Sequence, residues 1–90
     1  MYYRRLEEIE NGWKITIPAP GAKKEDVEVN LEDGLLTIDI SRNEHMVGLH
    51  VEYIPPKGVK EDHIKAKLKD GLLAVTVEKP EGYSTKIKVQ

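Results

Sequence analysis

Three histidines and four pairs of adjacent carboxylates are the side chains of this 90-residue chain with the widest chemical reach. His45, His50 and His63 stand at spacings that match no zinc pattern, and there is no cysteine to help them. A metal site would need carboxylates brought in by the fold, and none is expected. The pairs Glu7-Glu8, Glu25-Asp26, Glu32-Asp33 and Glu61-Asp62 are poor acid/base partners, because neighbours on a strand point to opposite faces. Ser41 and Ser84 are the only serines, and neither sits in a nucleophile elbow. Gly34-Leu35-Leu36 and Gly71-Leu72-Leu73 lack the glycine-rich cradle and Lys-Ser/Thr pair of a phosphate loop. No catalysis and no cofactor are expected, and Trp13 reads as a core or edge-of-core residue.

Bulk properties narrow the partners. Lys and Arg number 14 against 16 Asp and Glu, a net charge of −2 with the signs interspersed, which argues against nucleic acid as the main partner. Absence of cysteine suits a reducing compartment. No apolar run approaches the roughly 20 residues of a membrane span, and the first residues lack the apolar stretch of a signal peptide. The expected location is the cytoplasm, and the length fits one domain.

The elements that position these residues read as strands. Lys24-Glu25-Asp26-Val27-Glu28-Val29-Asn30-Leu31-Glu32-Asp33-Gly34-Leu35-Leu36 reappears as Lys60-Glu61-Asp62-His63-Ile64-Lys65-Ala66-Lys67-Leu68-Lys69-Asp70-Gly71-Leu72-Leu73. Each copy alternates apolar and polar residues, breaks at Asp-Gly and alternates again, the pattern of a tight β-hairpin. Two hairpins of one design predict an all-β, two-sheet sandwich. An edge strand is expected over residues 2–9, a half-buried strand at Trp13, Ile15 and Ile17, and a stop at Pro18-Ala19-Pro20-Gly21. Another strand is expected at Val47, Leu49, Val51 and Tyr53. Residues 59–69 lack Gly and Pro and by propensity alone would permit a helix. The alternation of Ile64, Ala66 and Leu68 favours a strand, with a helical turn allowed over residues 60–62.

Four fragments in order resemble the small heat shock proteins, through their α-crystallin domain. Ala66-Lys67-Leu68-Lys69-Asp70-Gly71-Leu72-Leu73 fits the family's A-x-x-x-n-G-v-L signature. Ala19-Pro20-Gly21-Ala22-Lys23-Lys24-Glu25-Asp26-Val27-Glu28-Val29 is similar to its "LPGvkkedv-v-v" stretch, with Ala19 where Leu is usual. Tyr53-Ile54-Pro55-Pro56-Lys57-Gly58-Val59 is like its "f-LP-gv" strand end, and Ile87-Lys88-Val89 resembles the I-x-I/V motif of its tail.

The resemblance implies an immunoglobulin-like β-sandwich over residues 1–82 with a tail at 83–90. It also implies ATP-independent holding of unfolding client proteins, and self-association. The tail motif, Ile87 and Val89, would lie in an apolar groove of a neighbour between residues 26–32 and 64–69, floored by Val27, Val29, Leu31, Ala66 and Leu68. Two departures matter. The family's long N-terminal arm shrinks to residues 1–12, which weighs against large cages and strong chaperone activity. The connection after Ile40 has no room for the strand that bacterial and plant relatives swap between partners. Dimerisation would then need another edge, for which Val47, Leu49, Val51 and Tyr53 are the candidates. The rival reading is an interaction module like the related p23 co-chaperones, which binds a folded partner.

Overall fold

The computed structural model describes residues 4–83 and Val89. Among the described residues seven strands follow in order: β1 Arg5–Ile9, β2 Gly12–Pro18, β3 Val27–Glu32, β4 Leu35–Ile40, β5 Leu49–Tyr53, β6 Ile64–Lys69 and β7 Leu72–Glu78. They form a four-stranded sheet, β1-β2-β7-β6, and a three-stranded sheet, β3-β4-β5, with every pairing antiparallel. The two-sheet sandwich expected from the twin hairpins is therefore present.

Each hairpin reverses at its Asp-Gly. Asp33 and Gly34 take φ of 51° and 78°, and Asp70 and Gly71 take 51° and 75°. Positive φ at both central residues is the turn whose twist matches the flanking strands, and Asp and Gly accept it more readily than most residues. Glu32 consequently pairs with Leu35, and Lys69 with Leu72.

Before each hairpin the chain winds one short 3-10 turn, Lys24–Asp26 and Glu61–His63. The first was not expected from sequence, and the second lies one residue later than expected. Both arise from the same device. The Asp26 carboxylate accepts the Lys23 N–H at 2.8 Å, and His63 Nδ1 accepts the Lys60 N–H at 2.8 Å. A single turn closed this way releases the chain into strand at Val27 and at Ile64, so the strand reading of residues 64–69 holds.

Alternation then fills the interior. Ile15 and Ile17 of β2, Leu36, Ile38 and Ile40 of β4, Val51 of β5 and Leu73, Val75 and Val77 of β7 form one buried cluster with Ala19 and Met46. Among the described residues no polar or charged side chain is buried. The central strands β2, β4 and β7 supply nearly all of this core; β1, β3, β5 and β6 are edges. Pro18 ends β2, and the fully buried Ala19 donates its N–H to the Gly71 carbonyl at 2.7 Å, tying the strand end to the second hairpin turn.

Strand β1 is exposed at every residue except Ile9, as an edge strand should be. The expected start of this strand at residues 2–3 lies outside the described residues. The expected strand from Val47 is corrected: β5 begins at Leu49. Asn43 Oδ1 accepts the N–H groups of His45 at 2.6 Å and Met46 at 3.1 Å, and the Asn43 N–H bonds the Met46 carbonyl at 3.0 Å. This closed loop buries Met46 and leaves Val47, 65 % exposed, on the approach to the strand. The Asn43 side chain also donates to the Pro20 carbonyl at 3.1 Å, pinning the connection against the sandwich. Between β4 and β5 no further strand forms.

Candidate functional site

Strand β3 ends the three-stranded sheet and β6 ends the four-stranded one, and a groove runs between them. Its larger half, about 510 Å³, is lined by Val27, Val29, Ala66, Leu68 and Leu73. Its smaller half, about 140 Å³, is lined by Val29, Leu31, Leu36, Ile64 and Ala66 with Asn30. Val29 and Ala66 belong to both halves, so the groove is continuous. Val27 shares the larger half with Leu68 and Leu31 the smaller half with Ile64, so the two edges run in opposite directions.

The alternation of each strand explains the lining. Val27, Val29 and Leu31 are half-buried while Glu28, Asn30 and Glu32 are exposed. Ile64 and Leu68 are half-buried, and the small Ala66 leaves the middle of the floor open to solvent. Thus all five residues expected to floor a groove, Val27, Val29, Leu31, Ala66 and Leu68, come together at one. Sequence reasoning missed Ile64, Leu36 and Leu73. The first is one step up the alternation of Ala66 and Leu68 and could have been found; the other two reach the floor from the neighbouring strands β4 and β7.

Charge is unevenly placed on this frame. Lys24 and Lys67 line the larger half and Glu61 the smaller one. The outward side chains of β6 are Lys65, Lys67 and Lys69, and those of β3 are Glu28, Asn30 and Glu32, all exposed.

The other expected positions are less united. Strand β5 is the second edge of its sheet, but Val51 is buried against the core and offers only its backbone there. Leu49 and Tyr53 are half-buried, and Val47 lies outside the strand. Of the tail motif, Ile87 lies outside the described residues, and Val89 is 90 % exposed. Tyr83 stacks edge-on against Trp13 with ring centres 5.4 Å apart, so the chain is held to the sandwich up to that point.

The histidines separate. His63 caps its 3-10 turn, and His45 lies 3.4 Å from the Glu44 carboxylate. His50 on β5 reaches Asp39 through Nδ1 at 2.5 Å and Glu52 through Nε2 at 3.0 Å. The hydrogen bonds its ring makes to the carboxylates of Asp39 and then Glu52 raise its pKa above the ordinary 6.5. The two carboxylates sit at opposite ends of the ring, so they clamp an imidazolium and do not converge on an ion. Sequence reasoning missed this trio, which depends on the pairing of Asp39 with His50 across β4 and β5.

Comparisons with known proteins agree with the fold. The sequence model of the Hsp20/alpha crystallin family matches residues 5–90. No curated protein matches the chain. Among solved structures, a small heat-shock protein from Xylella fastidiosa superposes with a TM-score of 0.75 at 23 % identity, over 100 % of this chain and 94 % of that one. Heat shock protein 16.0 from Schizosaccharomyces pombe gives 0.73 at 26 % identity, over 99 % and 96 %. The hspA protein of Xanthomonas axonopodis gives 0.70 at 23 % identity, over 87 % and 92 %. The bacterial likenesses bear on the fold alone.

Proposed function

The chain belongs to the Hsp20/alpha crystallin family, and from that premise we propose that it is an ATP-independent holdase whose β3–β6 groove takes extended segments of unfolding proteins. The observation that carries this reading is the groove itself: an apolar floor between two sheet edges. An extended chain presents every second side chain to one face, so two apolar residues separated by one would enter the two halves. Its backbone would add along a free strand edge, a recurrent mode of peptide recognition.

The energetics suit holding without trapping. Burial of two aliphatic side chains yields about 3–6 kcal/mol gross. Ordering each peptide residue costs about 1–2 kcal/mol. A single site therefore binds weakly and exchanges, while several sites in an assembly add through effective concentration. A protein that prefers the unfolded chain draws it away from aggregation by mass action, with no need of a nucleotide. On this reading residues 1–82 are the domain, residues 83–90 its tail, and the cytoplasm the place of action.

Heating an aggregation-prone protein without ATP, at equimolar to few-fold excess of this chain, should slow the rise of light scattering. Ala66→Glu should remove most of that protection, because it puts a charge where both halves of the groove meet. The change should cost folding no more than about 0.5 kcal/mol, since Ala66 is exposed. Absence of protection at every ratio would reject the holdase reading and favour an interaction module for a folded partner.

A further inference from the structure

The twin segments differ at the residue that closes each lead-in turn. In the first copy the Lys23 N–H donates to the Asp26 carboxylate at 2.8 Å, and the Asp26 N–H donates to the Lys23 carbonyl at 2.9 Å. In the second the Lys60 N–H donates to His63 Nδ1 at 2.8 Å, and the His63 N–H donates to the Lys60 carbonyl at 2.9 Å. The backbone agrees as closely: Lys23 has φ −109° and ψ 167°, and Lys60 has φ −115° and ψ 170°. One geometry is thus closed by a carboxylate in one copy and by an imidazole in the other. The two acceptors answer differently to acid. An ordinary carboxylate keeps its charge and its lone pairs from pH 8 down to pH 5. An imidazole takes up a proton within that range, and the proton occupies the nitrogen lone pair that accepts.

We propose that the Lys60–His63 turn is an acid-released latch at the rim of the groove, while the Lys23–Asp26 turn stays shut. The bond to Nδ1 requires a neutral ring with its hydrogen on Nε2. Protonation turns that acceptor into a donor facing the Lys60 N–H, and only the backbone bond between the two residues is left. The turn is therefore firm at alkaline pH and loosens as pH falls. His50 responds in the opposite sense, since its two carboxylates hold the charged ring. The latch sits where it can act: Glu61 within the turn and Ile64 directly after it line the smaller half of the groove.

The charged groups around His63 come from three elements. On its own segment they are Lys60, Glu61 and Asp62 before it and Lys65 after it. Strand β7 packs against the turn, and the pairing of Ile64 with Val77 brings Glu78 level with His63. Glu78 lies 3.7 Å from Lys65, and Lys79 beyond it lies 4.0 Å from Glu8. Across the smaller half of the groove β3 offers the neutral Asn30. Among the described residues none of these carboxylates bonds the His63 ring, so none holds its charged form as Asp39 and Glu52 hold that of His50. The latch does not depend on which chain fills the groove.

Nuclear magnetic resonance of the full chain, with Lys23 as an internal control, reads both turns at once. At pH 8 the His63 ring should show the tautomer with hydrogen on Nε2. From pH 8 to pH 5 the Lys60 amide resonance should move. Its protection against hydrogen exchange, relative to an unstructured chain at the same pH, should fall about three- to tenfold. The Ile64 amide should move with it, and Lys23 should keep both its position and its protection. His63→Asp, which copies the first turn, should hold the Lys60 amide protected throughout the range. His63→Ala should leave it unprotected at every pH. Overturning results are a His63 ring with hydrogen on Nδ1 at pH 8, a Lys60 amide indifferent to pH, or equal changes at Lys23 and Lys60. A pH response that survives His63→Asp would likewise reject the latch.

Discussion

Two glycines show how one residue type meets different demands. At Gly12 a Cβ would lie 1.9 Å from the Val77 carbonyl oxygen, because β2 and β7 pack backbone to backbone there. At Gly34 no heavy atom lies within 4 Å of a Cβ, but φ is +78°. Gly12→Ala should therefore push the strands apart and destabilise the fold by about 2–4 kcal/mol. Gly34→Ala carries only the conformational penalty of positive φ, about 1 kcal/mol. Urea unfolding of the two variants separates them, and equal losses would contradict the steric account of Gly12.

At the scale of elements, the pairing of β4 with β5 carries a pH-sensitive clamp. Asp39 on β4 and Glu52 on β5 hold His50 between them, and Glu28 on β3 stands opposite Asp39 on the same outer face. The pKa of His50 is raised in the folded chain, so its stabilising contribution is complete below the ordinary value of 6.5 and fades as pH rises through the raised value. Melting temperature should thus fall from about pH 5 to about pH 8, by an increment that His50→Gln abolishes in that window. The effect is small because all three side chains are about half exposed. A variant with an unchanged pH profile would remove the clamp from the stability of this strand pair.

At the scale of the whole molecule, one buried cluster draws on both sheets, from Ile15, Ile17, Leu73, Val75 and Val77 on one side and Leu36, Ile38, Ile40 and Val51 on the other. Neither sheet keeps an apolar face covered without the other, so the sandwich should unfold in one step. Trp13, half-buried beside Tyr83, reports tertiary packing by fluorescence, and far-ultraviolet circular dichroism reports the strands. The two denaturation curves should coincide; separated midpoints would mean that the sheets unfold independently.

Much of this was legible in the chain before any coordinates. The twin alternating runs broken by Asp-Gly set four strands, their inward faces and the register of two hairpins, because strand periodicity and turn chemistry are local backbone properties. They also marked Val27, Val29, Leu31, Ala66 and Leu68 as apolar positions on matching strands. The first 3-10 turn escaped because its cause is a single side-chain bond, from the Lys23 N–H to the Asp26 carboxylate. The clamp on His50 escaped because it needs the register across residues 41–48, which Asn43 fixes by holding a loop shut. Sequence alone determined which residues turn inward and where the ribbons reverse. Only the packing of two sheets decided that β3 and β6 are unpaired edges facing across a groove, since that follows from which strands lie between others, and contacts between distant residues leave no period in the chain.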